Sequence, residues 1–162
     1  MDEIKRGYLE AAGLRDLPAP ETLTVPIDNP GHPLHFSFAS HDMLVVAQHI
    51  GELIERMSPG DVERIPVRVE GRNEPYEILN VLTRIACIDR DRTVGELWPD
   101  ASERAGEYRM IVRLALDPDR VPESIRIFQV GGWKVSVVVT EDLKEALEDA
   151  TGLTFKPTAP PR

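Results

Sequence analysis

The segment YEILNVLTRIACIDRDRT contains the only cysteine of the chain, Cys87, followed closely by two carboxylates, Asp89 and Asp91. A nucleophilic thiol needs a partly exposed, electropositive setting with a base within reach. Cys87 instead lies between Ala86 and Ile88 in an apolar pattern, and no histidine is near it in the sequence. We therefore predict a buried core residue on a strand rather than a nucleophile, because a buried cysteine behaves as a small hydrophobic side chain.

Two groups of residues have the chemistry of metal ligands. Asp89 and Asp91 could bind a divalent cation, which prefers oxygen ligands, but each aspartate is followed by an arginine that would neutralise it. The four histidines, one of them next to Asp42, are clustered in HPLHFSFASHDMLVVAQH, at His32, His35, His41 and His49. They form neither an HExxH motif nor a helical pair four residues apart. We predict no metal site, no catalytic residue and no cofactor, and a small metal-dependent hydrolase using these side chains is the alternative.

A long polar connection, DRDRTVGELWPDASERAG, spans residues 89–106 and is longer than a hairpin needs. It combines an aromatic side chain, Trp98, with five acids, Asp89, Asp91, Glu96, Asp100 and Glu103. An aromatic anchor surrounded by charges resembles a protein-binding hot spot, so we predict that this loop binds a partner. The competing interpretation has Trp98 filling the core and the partner on acidic positions of the last helix, Glu141, Asp142, Glu145, Glu148 and Asp149.

Two amphipathic helices are predicted from apolar residues at helical spacing. The first lies in AQHIGELIERM, with Ile50, Leu53, Ile54 and Met57 on one face. The second follows the capping residue Thr140 in TEDLKEALEDA, with Leu143, Ala146, Leu147 and Ala150 on one face. Each helix lies between two apolar segments, and the segment that follows the second helix is LTFKPT. The pattern predicts two strand–helix–strand units.

Two longer apolar segments, residues 76–88 and 107–116, are predicted to form a central strand pair between these units. The second segment alternates roughly, with Tyr108, Met110, Val112 and Leu114 on one face. The fold class is α+β, with a mostly antiparallel sheet and amphipathic helices packed on one side. Prolines predict an extended N-terminal arm over residues 1–34, a single domain over 35–157 and a disordered tail over 158–162.

The charge balance limits the classes of partner. The formal net charge of −9 argues against non-specific nucleic-acid binding, which needs clustered Lys and Arg. No apolar run approaches the length of a membrane span, and MDEIKRGYLEAAG lacks the apolar region of a secretory signal. Together with the single cysteine, this predicts a cytoplasmic protein with no membrane partner. The sequence leaves a homodimer open.

Several short groups of residues occur along the chain in a pattern that is known from other proteins. They are Tyr76 with Leu79-Asn80-Val81, Cys87-Ile88-Asp89, Tyr108-Arg109, Leu116-Asp117-Pro118, Ile127-Phe128, Gly132-Trp133, the stripe from Leu143 to Leu147, and Thr154-Phe155. With these groups the sequence resembles a bacterial family of immunity proteins, family eleven of those paired with polymorphic toxins. The likeness covers roughly residues 40–157 and is a diffuse pattern rather than a single motif.

This resemblance implies a small cytosolic α+β protein, encoded beside a toxin, that binds and neutralises that toxin without catalysis or a cofactor. It implies no particular binding residues. The alternatives from other classes are the metal-dependent hydrolase described above and a regulatory or scaffold domain.

Overall fold

The computed structural model describes residues 23–28, 31–39, 43–133 and 135–160, and its centre is a five-stranded sheet. Every neighbouring pair in this sheet is antiparallel except the pair formed by its first and second strands. In spatial order the strands are β1 (Thr24–Val25), β4 (Val62–Val69), β5 (Tyr76–Val81), β3 (Met43–Ala47) and β2 (Phe36–Ala39).

The central strand β5 is covered on both faces, because all six of its residues are buried and successive side chains point to opposite faces. Helix α1 (Gln48–Met57) lies over the face that carries Glu77. It approaches the sheet so closely that a Cβ added at Gly51 would collide with the Glu77 carboxylate. The opposite face carries Ile78 with its cross-strand neighbour Ile65, and both are buried.

Two smaller sheets complete the strands in the described part of the chain. A three-stranded sheet has the order β10 (Val137–Val139), β9 (Ile127–Val130) and β6 (Arg84–Ile85). A two-stranded hairpin is formed by β7 (Val94–Leu97) and β8 (Tyr108–Arg113). Helix α2 (Glu141–Ala146) directly follows β10, and a single 3-10 turn covers Pro118–Arg120.

The buried apolar residues form two clusters. The larger one surrounds the five-stranded sheet and includes Ile50 and Ile54 from α1 together with Leu143 and Leu147 from the α2 region. The smaller one consists of Cys87, Phe128 and Val130, with half-buried neighbours around them. The α+β class predicted from the sequence is confirmed, and so is the apolar stripe of α1.

The predicted central strand pair is wrong. Residues 76–88 divide into β5 and the short β6, and β8 pairs with β7 instead. The two predicted strands meet only at an isolated antiparallel bridge between Ile88 and Leu116. Strand β7 lies inside the connection that the sequence predicted to be a loop, so this connection is a hairpin strand and a turn.

The second strand–helix–strand unit is also incomplete. The first unit is present as β3, α1 and β4, but the segment LTFKPT after α2 is not a strand. Helix α2 is shorter than predicted, and Ala146 on its predicted buried stripe is exposed. Thr140 occupies the N-cap position without a side-chain capping hydrogen bond, and its hydroxyl instead donates to Asp142.

The predicted arm and tail are partly described. Residues 1–22, 29–30 and 161–162 lie outside the described residues. Within the arm, β1 pairs in parallel with β4. Within the predicted disordered tail, the Ala159 N–H donates to the Leu114 carbonyl at 2.8 Å, so residues 158–160 do not match that prediction. None of the helices in the described ranges is long and apolar enough to cross a membrane.

Candidate partner-binding surface

The β7–β8 hairpin is the frame that positions the predicted binding residues. Its two strands are antiparallel, but their register shifts at two points, between Val94 and Gly95 and between Glu96 and Leu97. At the first shift β8 runs so close to Gly95 that an added Cβ would collide with the Met110 carbonyl oxygen. A glycine is therefore needed there, at an irregularity of the kind that locally disrupts antiparallel pairing.

Asp89 builds the base of this hairpin. One carboxylate oxygen accepts hydrogen bonds from the main-chain N–H groups of Asp91 and Arg92, at 3.1 and 3.3 Å. This is the turn-forming arrangement that aspartate favours. Next to it, the Thr93 hydroxyl accepts from the Ala115 N–H at 3.1 Å. The carboxylate that the sequence nominated for partner binding is thus already engaged by the turn.

Trp98 lies at the far end of the hairpin, half-buried and outside both core clusters. The main-chain N–H of Trp98 donates to the Glu107 carbonyl at 2.9 Å, which closes the turn. The Arg104 guanidinium lies over the indole ring at 5.0 Å and also donates to the Glu107 carboxylate at 2.8 Å. The indole Nε1 is buried and has no hydrogen-bond partner within the described ranges. The turn itself, and not the core, holds this aromatic side chain.

The remaining nominated acids are exposed. Glu96 on β7 forms an ion pair with Arg109 on β8, and both side chains are about half exposed. Asp91, Asp100 and Glu103 are exposed, and none of them takes part in an ion pair recorded among the described residues. The acids of this region are nearly balanced by its arginines, Arg90, Arg92, Arg104, Arg109 and Arg113.

An exposed apolar set on the hairpin was missed by the sequence analysis. It comprises Val94, Leu97, Met110 and Val112, and Val112 is 74% exposed. The alternation on β8 was the available signal, but it predicted a face shared with the buried Tyr108 and not an open surface. We call these four residues, together with the half-buried Trp98, the hairpin patch.

The other candidate groups lie elsewhere. Cys87 is fully buried as predicted, although it lies two residues after the end of β6 and not inside an assigned strand, and burial raises the pKa of its thiol. His35 and His49 are in edge-to-face contact with ring centres 4.9 Å apart, and His35 Nδ1 accepts a hydrogen bond from the Thr151 N–H. In the ranges that are described, no three His, Cys, Asp or Glu side chains are grouped so as to hold a metal ion. His41 lies outside those ranges.

The acids of α2, the competing docking surface, are partly neutralised. Asp142 forms an ion pair with Arg126 at 2.6 Å, and a hydrogen bond from the Thr140 hydroxyl holds the pKa of Asp142 below its usual value. Glu141 pairs with Lys144 and raises the pKa of that lysine. Glu145, Glu148 and Asp149 are exposed. All five acidic positions are therefore exposed, but only three of them lack an ion pair recorded among the described residues, and two of those three, Glu148 and Asp149, lie just beyond the end of α2.

Compared with known proteins, the chain matches no family model and no curated protein. The likeness to the immunity proteins therefore rests on the residues given above.

Proposed function

We propose that this protein is a non-enzymatic immunity protein that binds and neutralises a cognate toxin through the hairpin patch. The observation that carries the proposal is the exposed apolar set Val94, Leu97, Met110 and Val112 on a single hairpin. Exposed apolar side chains that lie on one element beside charged residues are found at protein-binding sites. The resemblance to immunity proteins supplies the class of partner.

The chemistry of the patch suits a protein partner. Trp98 adds a half-buried aromatic side chain, and tryptophan is frequent in binding hot spots. Glu96 and Arg109 supply a polar border of both signs. Since charges within the hairpin nearly cancel, long-range attraction of a basic toxin would come from the net charge of −9 on the whole chain.

The position of the patch also suits binding. The hairpin is a separate two-stranded sheet, and its exposed residues belong to neither core cluster. Substitution at Val112 or Met110 should therefore change the surface without changing the fold. This makes the proposal testable by surface variants.

The decisive experiment compares two apolar-to-glutamate changes at side chains of similar exposure, Val112→Glu on the hairpin and Phe38→Glu on β2. Phe38 is 70% exposed, close to the value for Val112, but lies in the five-stranded sheet. Cells that produce the toxin encoded by the neighbouring gene are scored for survival with each variant. We expect Val112→Glu to abolish protection and Phe38→Glu to retain it, with unchanged thermal midpoints for both.

A further variant, Trp98→Ala, distinguishes a role of Trp98 in partner binding from a role in folding. We expect it to abolish protection with a nearly unchanged thermal midpoint, because Trp98 contacts its own turn and not the core. Full protection by both Val112→Glu and Trp98→Ala would contradict the proposal and direct attention to the acids of α2. A neighbouring gene that encodes no toxin would favour a regulatory domain or a hydrolase instead.

A further inference from the structure

The outer edge of β10 is an unpaired strand edge. The Val130 N–H donates to the Ser136 carbonyl at 3.2 Å, and the Thr140 N–H donates to the Arg126 carbonyl at 3.0 Å. Since hydrogen-bonded positions alternate along an antiparallel strand, Ser136, Val138 and Thr140 face β9. The main-chain groups of Val137 and Val139 therefore point away from the sheet, where no other strand pairs with β10 among the described residues.

This edge has few of the features that block strand addition. Natural edge strands are commonly protected by charged side chains, prolines, bulges or very short length, and β10 has only the last of these, with three residues. Residues 135–139 read VSVVV, with neither a charge nor a proline, and the register with β9 is regular. Val135 and Val137 are also exposed. The hairpin strands differ in this respect, because their register shifts twice.

The charge beside this edge is negative. Helix α2 begins one residue after Thr140, so its carboxylates follow directly from the end of β10. Glu145, Glu148 and Asp149 are exposed, and they form no ion pair that is recorded in the described part of the chain. These acids follow the end of β10 by six to ten residues in the chain, with Lys144 directly before the first of them.

We propose that the β10 edge binds an extended, lysine- or arginine-rich segment of a partner protein as an added strand. Main-chain hydrogen bonds to Val137 and Val139 would hold the segment, as in other cases of strand addition. Its basic side chains would lie near the acids of α2, which complement them in charge. This surface is separate from the hairpin patch, so the proposal does not depend on the proposed immunity function.

The test uses the full-length protein and a fluorescently labelled synthetic peptide in which lysine alternates with valine. A peptide in which glutamate alternates with valine is the charge control. We expect binding of the lysine peptide only, with affinity that decreases as salt is added. Val137→Pro removes the outward N–H without removing a bond to β9, and proline is tolerated at such edges. We expect this variant to bind at least about tenfold more weakly, the loss that one or two hydrogen bonds produce.

A lysine peptide N-methylated at alternate residues gives the same test without altering the protein. It should fail to bind if the added strand is held by main-chain hydrogen bonds. Equal binding of the lysine and glutamate peptides, or unchanged binding by the methylated peptide, would overturn the proposal. Sedimentation of the protein alone gives another outcome: a dimer that Val137→Pro dissociates would assign the edge to a second copy of this chain.

Discussion

Arg64 on β4 and Glu77 on β5 form a bidentate ion pair beneath α1. Arg64 Nε lies 2.7 Å from Glu77 Oε2, and Arg64 Nη2 lies 2.8 Å from Oε1. The third guanidinium nitrogen, Nη1, donates to Glu55 on α1 at 2.7 Å. The Glu77 side chain is only 6% exposed, and its hydrogen bonds raise the pKa of Arg64 above its ordinary value. One arginine thus ties two strands to the helix above them.

Removal of Glu77 should be strongly destabilising. Glu77→Ala removes two charge-assisted hydrogen bonds from Arg64, whose side chain is 19% exposed and keeps Glu52 and Glu55 as partners, so we expect a cost of roughly 2–3 kcal/mol. Glu55 pairs with the same arginine, but its side chain is half exposed, so Glu55→Ala should cost about 1 kcal/mol or less. Urea unfolding of both variants measures the difference. Equal decreases in the free energy of unfolding would show that the Arg64–Glu77 pair stabilises the fold no more than the exposed Arg64–Glu55 pair does.

Gly51→Ala should destabilise the protein, against the usual trend. In an ordinary helix interior this change stabilises by about 1 kcal/mol, since glycine is a poor helix former. Here the new methyl group would collide with the Glu77 carboxylate and lies next to Arg64. In a Glu77→Ala background the collision is absent, so the two changes together should cost less than their sum. Thermal unfolding of the two single variants and the double variant tests this coupling.

Cys87 should resist thiol reagents in the native protein. It is fully buried, and the raised pKa lowers its thiolate fraction at any pH below that pKa. Reaction should therefore follow unfolding, with labelling that is fast in denaturant and slow without it. Rapid labelling of the native protein at neutral pH would contradict this assignment and revive a nucleophilic role.

The two leucines of the α2 region should be essential to the fold. Leu143 and Leu147 are buried in the larger cluster, so Leu143→Ala and Leu147→Ala should each cost about 2–5 kcal/mol. Exposed Glu145 is the matched control on the same helix, and Glu145→Ala should change the free energy of unfolding very little. Small and equal effects at all three positions would mean that α2 is not docked.

Local patterns in the sequence were sufficient for some elements. The apolar stripe of α1 repeats at helical spacing, and its prediction required no knowledge of the other elements. Strand β7 had no such signal, because all four of its residues are exposed and one is Gly95. Its partner β8 was predicted, but with the wrong neighbour. Pairing depends on which strands meet in space, and periodicity does not encode that.

The candidate site was predictable only in outline. The sequence identified the segment around Trp98 but not Met110 and Val112, whose alternation equally fits a buried face. Whether such a face is covered depends on the packing of other layers against it. The partner of Glu77 was similarly hidden, since several arginines could have reached it. Asp89 was predicted to be a partner-binding residue, and the sequence did not show that its carboxylate accepts main-chain hydrogen bonds within the turn.

The position of β5 has a consequence for how the protein opens. β5 is paired on both sides and buried on both faces, so its amide hydrogens should exchange with solvent only through global unfolding. The hairpin strands β7 and β8 pair only with each other in the described part of the chain, and much of their surface is exposed. Their amide hydrogens should therefore exchange through a local opening whose free energy is much lower than that of global unfolding. The molecule then consists of two cooperative units of unequal stability. A partner that orders the hairpin could do so without straining the central sheet.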